Sequence, residues 1–393
     1  MASRDGEVKL EIGGKSLVGW QEVRVSRGLE RMPSDFDVAL TEAYPGGQPV
    51  PVDPGMPCVL KIGDDVVVTG FIDRYEIAVT KGAGRHVRVT GRGLCQDLVD
   101  CSAYLVGDNN QMSNLTAAGV VRKLCALHGI TLDTPNGDGN VVPQFNVILT
   151  ETSWDIIDRV ARHSDFLAYE GPDGHLVLAK VGTEKMASGF REGGNGEAAQ
   201  IVWSHDKRYS LYEVVFQPVE TLGDTARAVG NAAFNTRARA TDDTIGADAP
   251  GTGRRFRPLV MMAEAATNEA GDISQARADW EKARRYGRSQ AVTVSADSWR
   301  DSARRLWTPN RLAPVHLPRC YLPDKEWIIA DVTYRRGKDG THADVTLMPK
   351  EAFTREPIIL QPYDAQVAAA LRAAPPEGAP AAPQPRTTGE PGE

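Results

Sequence analysis

The run Trp203-Ser204-His205-Asp206 sets a hydroxyl, an imidazole and a carboxylate side by side. Those are the parts of a nucleophile, its general base and the acid that orients the base. Consecutive side chains of an extended segment point to opposite faces, so this run alone does not focus three groups on one substrate atom. Asp97, Asp100 and Cys101 bring metal-type ligands close together, but they read as solvated loop carboxylates beside a buried cysteine. Trp299-Arg300-Asp301-Ser302 and Leu306-Trp307-Thr308-Pro309-Asn310 place two indoles around an arginine-rich turn, the parts of a ligand platform. The plainer reading takes both indoles as core and Pro-Asn as turn chemistry, and it is preferred. His128 and His163 fall near the ends of predicted helices, where a cation or a capping donor is stabilised, so capping outweighs metal ligation. Carboxylate pairs suited to glycoside hydrolysis meet only in three dimensions, and 52 acidic residues single none of them out.

The common catalytic signatures are missing: no Walker-type phosphate loop, no Gly-x-Ser-x-Gly elbow and no His-Glu-x-x-His helix. The glycine clusters at Gly137 to Gly139 and Gly193 to Gly196 sit in polar loops and read as turns. Cys58, Cys95, Cys101, Cys125 and Cys320 are odd in number, scattered and without Cys-x-x-Cys spacing, so neither a disulfide framework nor a zinc site is implied. Burial as small apolar residues and assembly in a reducing cytoplasm fit that usage. Catalytic, cofactor-binding and metal residues are accordingly expected to be none. A net charge of −7 disfavours a general nucleic-acid binder, whose affinity comes from neutralising phosphates. No apolar run reaches the roughly 20 residues of a membrane span, the first residues carry no signal-type apolar core, and the sequon Asn114-Leu115-Thr116 reads as chance.

The elements that would carry these residues are mixed. Val8, Leu10 and Ile12 alternate with charged neighbours, as do Phe36, Val38 and Leu40. Phe71, Asp73, Tyr75, Ile77 and Val79 are expected on one strand face, with Val87 and Val89 alternating on the next strand. Period-two patterning marks antiparallel strands with one wet face, here in a small barrel or sandwich, and Lys81-Gly82-Ala83-Gly84 is a candidate hairpin turn. Leu115, Val120, Val121, Leu124 and Leu127 then fall at helical spacing, ended by Gly129. A second helix starts near Thr152, whose hydroxyl is a candidate cap, with Ile156, Ile157, Val160 and Ala161 as its stripe. A hairpin turns at Gly171-Pro172-Asp173-Gly174. Ile201 to Gln217 reads as one or two strands with Tyr212, Val214 and Phe216 on one face, and Glu220 to Gly253 as a long loop or arm. A third helix is expected from about Asp272 to Tyr286, with Asp272 and Gln275 as a capping box and Ile273, Ala276, Trp280 and Ala283 as its stripe. Strands return from Gln290 to about Pro349, and the Pro/Ala/Gly-rich tail from about Pro362 is expected to be disordered, so that truncation before about Ala368 leaves melting and oligomeric state unchanged. The two β regions echo each other: Thr69-Gly70-Phe71-Ile72-Asp73-Arg74-Tyr75 then His86-Val87-Arg88-Val89-Thr90, against Ile328-Ile329-Ala330-Asp331-Val332-Thr333-Tyr334 then His342-Ala343-Asp344-Val345-Thr346. Chance and duplication both remain open at this point.

Gly19-Trp20 with Val23-Arg24-Val25-Ser26-Arg27, Thr69 to Asp73, Gly91-Arg92-Gly93-Leu94 and Asp97-Leu98-Val99-Asp100-Cys101 carry a family resemblance. So do Arg208-Tyr209-Ser210-Leu211-Tyr212-Glu213-Val214, Arg255-Phe256-Arg257-Pro258 and Trp307-Thr308-Pro309-Asn310, in order up to about Phe353. The chain resembles the baseplate hub proteins of Mu-like phages, related to the late control protein D family. The resemblance implies an α+β, β-rich chain with two small antiparallel β-barrel domains plus two α+β domains. The expected division is 1–104 first barrel, 105–200 α+β, 201–217 with 288–353 second barrel, 218–287 inserted loop and helix, and 354–393 mostly disordered tail. It further implies a non-enzymatic homotrimer forming a pseudo-sixfold ring. That ring would join the tail tube and other baseplate proteins to a tail spike protein on a separate polypeptide. The expected place is the virion of a phage, prophage or tailocin, and the net acidic charge suggests a channel lined with carboxylates that eases DNA passage by repulsion, without specific nucleic-acid binding. The alternatives are a tail-associated peptidoglycan hydrolase, a receptor-binding module, or the hub of a related contractile secretion apparatus such as a type VI system.

Overall fold

The structure, a computed structural model, describes residues 6–42, 52–81, 84–105, 111–148, 150–218, 237–265, 270–322 and 324–358. The expected tail disorder, the Gly82-Ala83 turn, the Phe216 face and the Asp272 cap fall outside the described residues or side chains. Seven strands open the chain: β1 (Val8–Ile12), β2 (Lys15–Leu17), β3 (Glu22–Gly28), β4 (Asp35–Glu42), β5 (Pro57–Ile62), β6 (Asp65–Thr80) and β7 (Gly84–Gly93). A compact module follows, with α1 (Gln96–Asp100), β8 (Gln111–Thr116), α2 (Ala117–Ala126), β9 (Leu132–Asp133), β10 (Val141–Asn146), α3 (Ser153–His163), β11 (Leu167–Glu170) and β12 (Leu176–Ala179). The rest comprises β13 (Phe190–Arg191), β14 (Gly196–Trp203), β15 (Leu211–Pro218), β16 (Arg237–Thr241), β17 (Pro258–Ala265), α4 (Ala270–Arg288), β18 (Gln290–Ala296), β19 (Leu312–His316), β20 (Lys325–Gly337) and β21 (Gly340–Met348).

The two expected barrels do not form. Their strands instead make one 13-stranded sheet whose main path runs β14-β18-β21-β20-β3-β4-β7-β6-β5-β1-β2, with β19 and β13 beside β20. A barrel needs its last strand to return to its first. The edge of β20 that would close the second lobe is occupied: Asp331–Arg336 pair antiparallel with Gly28–Val23 of β3 in the first lobe. Val25 and Phe36 from one lobe and Trp307, Ile329 and Tyr334 from the other accordingly share a single buried core. The fold is α+β and β-rich, but it is sheet-like rather than barrel-like.

The echo between the β regions is a repeat of topology. In chain order β3, β4, β5, β6 and β7 stack as β3-β4-β7-β6-β5, and β14, β18, β19, β20 and β21 stack as β14-β18-β21-β20-β19. Registers agree as well: Val23, Val38, Val89 and Tyr75 form one cross-strand row, and Ala199, Val294, Val345 and Val332 form its counterpart. Both long strands carry a bulge at the matching place, after Ile72 and after Ile329. The sequence alignment therefore holds for His86 to Thr90 but slips by two residues on the preceding strand, where Ile72 matches Ile329. The bulge also flips the alternation, so Ile72 is buried while Asp73 is exposed, and Phe71 does not share a face with Tyr75 and Ile77 as expected.

The helical module has its own core, built by Val120, Val121 and Leu124 of α2 against Ile156, Ile157 and Val160 of α3. Thr116 caps α2 through Gly119 N at 3.1 Å, and Thr152 forms a reciprocal box with Asp155 on α3. Beyond β14 the chain leaves the large sheet. β16-β15-β17 form a separate small sheet under α4, with Arg237–Thr241 as a strand inside the stretch read as a loop. Tyr212, Val214, Ile273 and Ala278 pack between them. Ala276, expected in the helix stripe, is exposed and Ala278 is buried instead.

Candidate functional site

The candidates for chemistry resolve into structural roles. Trp203 ends β14 half-exposed, Ser204 N donates to Ser289 O at 2.9 Å, and the Asp206 carbonyl accepts from Arg257 at 2.8 Å. No hydrogen bond among the described residues joins the Ser204, His205 and Asp206 side chains. Asp100 is held by Arg92 at 2.8 Å, and the same guanidinium holds Asp73 at 2.6 Å. Cys101 beside it is exposed, which corrects the expected burial, whereas Cys58, Cys95 and Cys125 are buried. Burial pushes the Cys58 and Cys125 thiols up to about 12 and the Cys95 thiol well above its usual range, the reverse of what a nucleophile needs.

Trp299 and Trp307 are core: their indole N–H groups donate to the carbonyls of His342 at 2.8 Å and Ser298 at 2.9 Å. The cation over Trp299 is Arg336 at 4.8 Å, and Arg300 instead reaches the first lobe, bonding Ile62 O at 2.9 Å and Asp65 at 2.5 Å. Asp301 turns inward and accepts from the amides of Ala303, Arg305 and Ala187. The cleft of about 750 Å³ beside this turn is lined by Arg300, Asp301, Asp324 and Glu326, each engaged by a neighbouring charge or amide. His163 bonds the carbonyls of Ile358 at 3.2 Å and Val141 at 3.4 Å rather than capping its own helix. The His128 ring Nε2 is buried without a hydrogen-bond partner.

One cluster was missed: His175 Nδ1 lies 3.0 Å from Asp133 and 3.3 Å from Asp173. Its members are distant in sequence or split across a turn, and the parallel pairing of β9 with β12 brings them together. One imidazole nitrogen between two half-exposed or exposed carboxylates is a surface polar contact by its geometry.

The glycine-rich motifs have a packing cause. Glu170 is 3% exposed, and its carboxylate accepts from Ser34 N and Cys95 N, each at 2.8 Å. Burial raises its pKa despite these two amides. This carboxylate ties the helical module to the β3–β4 turn, and it fits only because residue 93 has no Cβ, which would meet Glu170 Oε2 at 2.0 Å. Gly70 is pressed in the same way against Arg92 O, where a Cβ would sit at 1.9 Å. Gly93→Ala is therefore expected to destabilise the protein by about 1–3 kcal/mol. In a double-mutant cycle by urea unfolding, Glu170→Ala should remove much of that penalty; additive costs would mean that the two residues do not oppose each other.

Among the exposed large apolar side chains are several on strand edges of the large sheet. Ile77 and Val79 on the distal half of β6 are 49% and 79% exposed, and Val202 and Trp203 on β14 are each 50% exposed. Among the described residues, β14 pairs with no strand but β18, and β6 beyond its bulge pairs only with β7. The alternation in Tyr75, Ile77 and Val79 was visible in the sequence, but it reads there as a face buried within the chain.

Residues 7–93 match the N-terminal model of Mu phage baseplate assembly protein GpP-like proteins, residues 95–180 the second domain of baseplate hub protein gp44-like proteins, and residues 270–356 the fourth domain of Mu phage baseplate assembly protein GpP. The baseplate hub protein gp44 of Escherichia phage Mu is 28% identical over 353 residues, covering 88% of each chain. A 43 kDa tail protein of prophage MuSo2 from Shewanella oneidensis superposes with a TM-score of 0.76 at 25% identity, over 89% of this chain and 99% of that one. A tail protein from Neisseria meningitidis MC58 shares the fold, with a TM-score of 0.70 at 19% identity, over 89% and 98%.

Proposed function

The chain is homologous to the Mu phage baseplate hub proteins, and on that premise we propose that it works as a homotrimeric hub joining a contractile tail's tube to a central spike. Its role is structural, and its place is the tail baseplate of the virion, assembled in the host cytoplasm. The observation that carries the finer reading is the repeat within the sheet. Two lobes of one strand order in each chain supply six similar surfaces from three chains, which suits a ring that meets sixfold and threefold neighbours. A separate spike polypeptide fits the Mu relative, matched over 88% of its own length, which leaves little room in that protein for a long spike. Domain limits near residues 104, 200 and 288 belong to the same proposal. So does a carboxylate-lined channel for DNA.

Light scattering of the purified protein at micromolar concentration is expected to give a mass of three chains, and a stable monomer would overturn the trimer. The rival reading, a peptidoglycan hydrolase, predicts clearing on a zymogram. The hub reading predicts none, in keeping with side-chain candidates that are spent on packing and ion pairs.

A further inference from the structure

The junction between the two lobes of one chain is a template for the junction between chains. Within the chain, β20 beyond its bulge pairs with β3: Val332 lies opposite Arg27, Tyr334 opposite Val25 and Arg336 opposite Val23. Tyr334 and Val25 at the centre of that seam are fully buried. Matching registers assign each partner an equivalent in the other lobe. Tyr75, Ile77 and Val79 of β6 correspond to Val332, Tyr334 and Arg336, because Tyr75 faces Val89 as Val332 faces Val345. Trp203, Ile201 and Ala199 of β14 correspond to Arg27, Val25 and Val23, because Ala199 faces Val294 as Val23 faces Val38.

The approach to the seam is repeated as well. Before the bulge, Ile329 exchanges backbone bonds with Asn310 and Arg311 at 3.0 and 2.9 Å, and Ile72 does the same with Gly55 and Met56 at 2.7 and 3.0 Å. After the bulge the two lobes part company. The β20 edge has β3, while the β6 edge and, past the single bridge of Gly196 to Glu192, the outer edge of β14 have no strand partner among the described residues. Both bare edges carry half-exposed or exposed apolar side chains, and an exposed edge of that kind is a strand-pairing template.

We propose that β14 of one copy pairs antiparallel with Arg74–Val79 of β6 in the next copy, in the register of the β3–β20 seam. Trp203 then lies opposite Tyr75, Ile201 opposite Ile77 and Ala199 opposite Val79, an apolar ladder that takes in the exposed Trp203, Ile77 and Val79, with Val202 on the other face. The contact is heterologous, head to tail, the kind that builds a ring of copies where its rotation closes. The inference rests on the trimer reading and deepens it by naming the seam.

The test uses the full chain with Cys101→Ser and Cys320→Ser, leaving only the three buried cysteines. Residues directly opposite in an antiparallel pair have Cβ atoms about 4.5–5.5 Å apart, close enough for oxidative cross-linking. Ile77→Cys with Ile201→Cys is expected to give a ladder of two and three chains on a non-reducing denaturing gel. Ile77→Cys with Gln200→Cys, slipped by one residue onto the opposite face, should cross-link at least tenfold less. Ile77→Lys should abolish the trimer in light scattering while leaving the circular dichroism of the chain unchanged. A three-chain particle without the 77–201 cross-link, or one cross-linked only by the slipped pair, would overturn the seam and leave the trimer standing. A monomer before any substitution would overturn the trimer, and with it the seam.

Discussion

Replacing Asp242 with alanine is expected to destabilise the sheet under α4 by about 3–5 kcal/mol. Arg208 and Asp242 face each other at 2.5 Å with both side chains 7% exposed. Arg208 also donates to Thr244 Oγ1 at 2.7 Å, and the Asp242 carboxylate accepts from the Thr244 amide and hydroxyl. Burial opposes ionisation of Asp242, yet the bonds from Thr244 and Arg208 hold its pKa below the usual range. Without the carboxylate, a buried guanidinium whose Nε already lacks a partner loses its counter-charge. The cost arises from that stranded charge more than from the lost attraction. Hydrogen exchange should show β15 and β16 opening faster while β6 and β7 are little changed. A loss below about 1 kcal/mol would mean that the pair behaves as a solvated surface bridge.

Trp307→Ala is expected to cost a similar about 3–5 kcal/mol in the core shared by the two lobes. The indole is fully buried, its ring centroid lies 4.4 Å from that of Phe190, and its N–H donates to Ser298 O. Its backbone carbonyl accepts the Tyr334 hydroxyl, so the side chain sits where the turn is fastened to β20. Trp307→Phe keeps most of the apolar volume but strands the Ser298 carbonyl, which should cost about 1–3 kcal/mol. Chemical unfolding of the three proteins checks this order, and equal stability of Trp307→Ala and the parent would mean that the indole is not a core residue.

These two sites show what a sequence can and cannot display. Trp307 as core, the Thr152 cap, the Gly129 stop and the hairpin at Gly171–Gly174 are local signals, and the structure has each of them. Strand partners are not local. Nothing in the composition of β20 says that its outer edge takes β3 instead of closing on its own lobe, so the barrels expected from short alternating strands became one open sheet. Bulges are equally hard to see. One extra residue at Asp73 inverts every face assignment after it. The Arg208–Asp242 pair is separated by a stretch read as a featureless arm, and only the pairing of β15 with β16 brings the two side chains together. The unused apolar edges on β6 and β14 are legible only once the rest of the sheet shows which edges are already filled.

The central claim is that one chain brings two equivalent lobes to a closed ring of three copies. Class averages of the purified particle viewed down its axis test it most directly. The account predicts three chains presenting six similar densities around a channel, whereas isolated single chains, or a ring with any other number of copies, would contradict it.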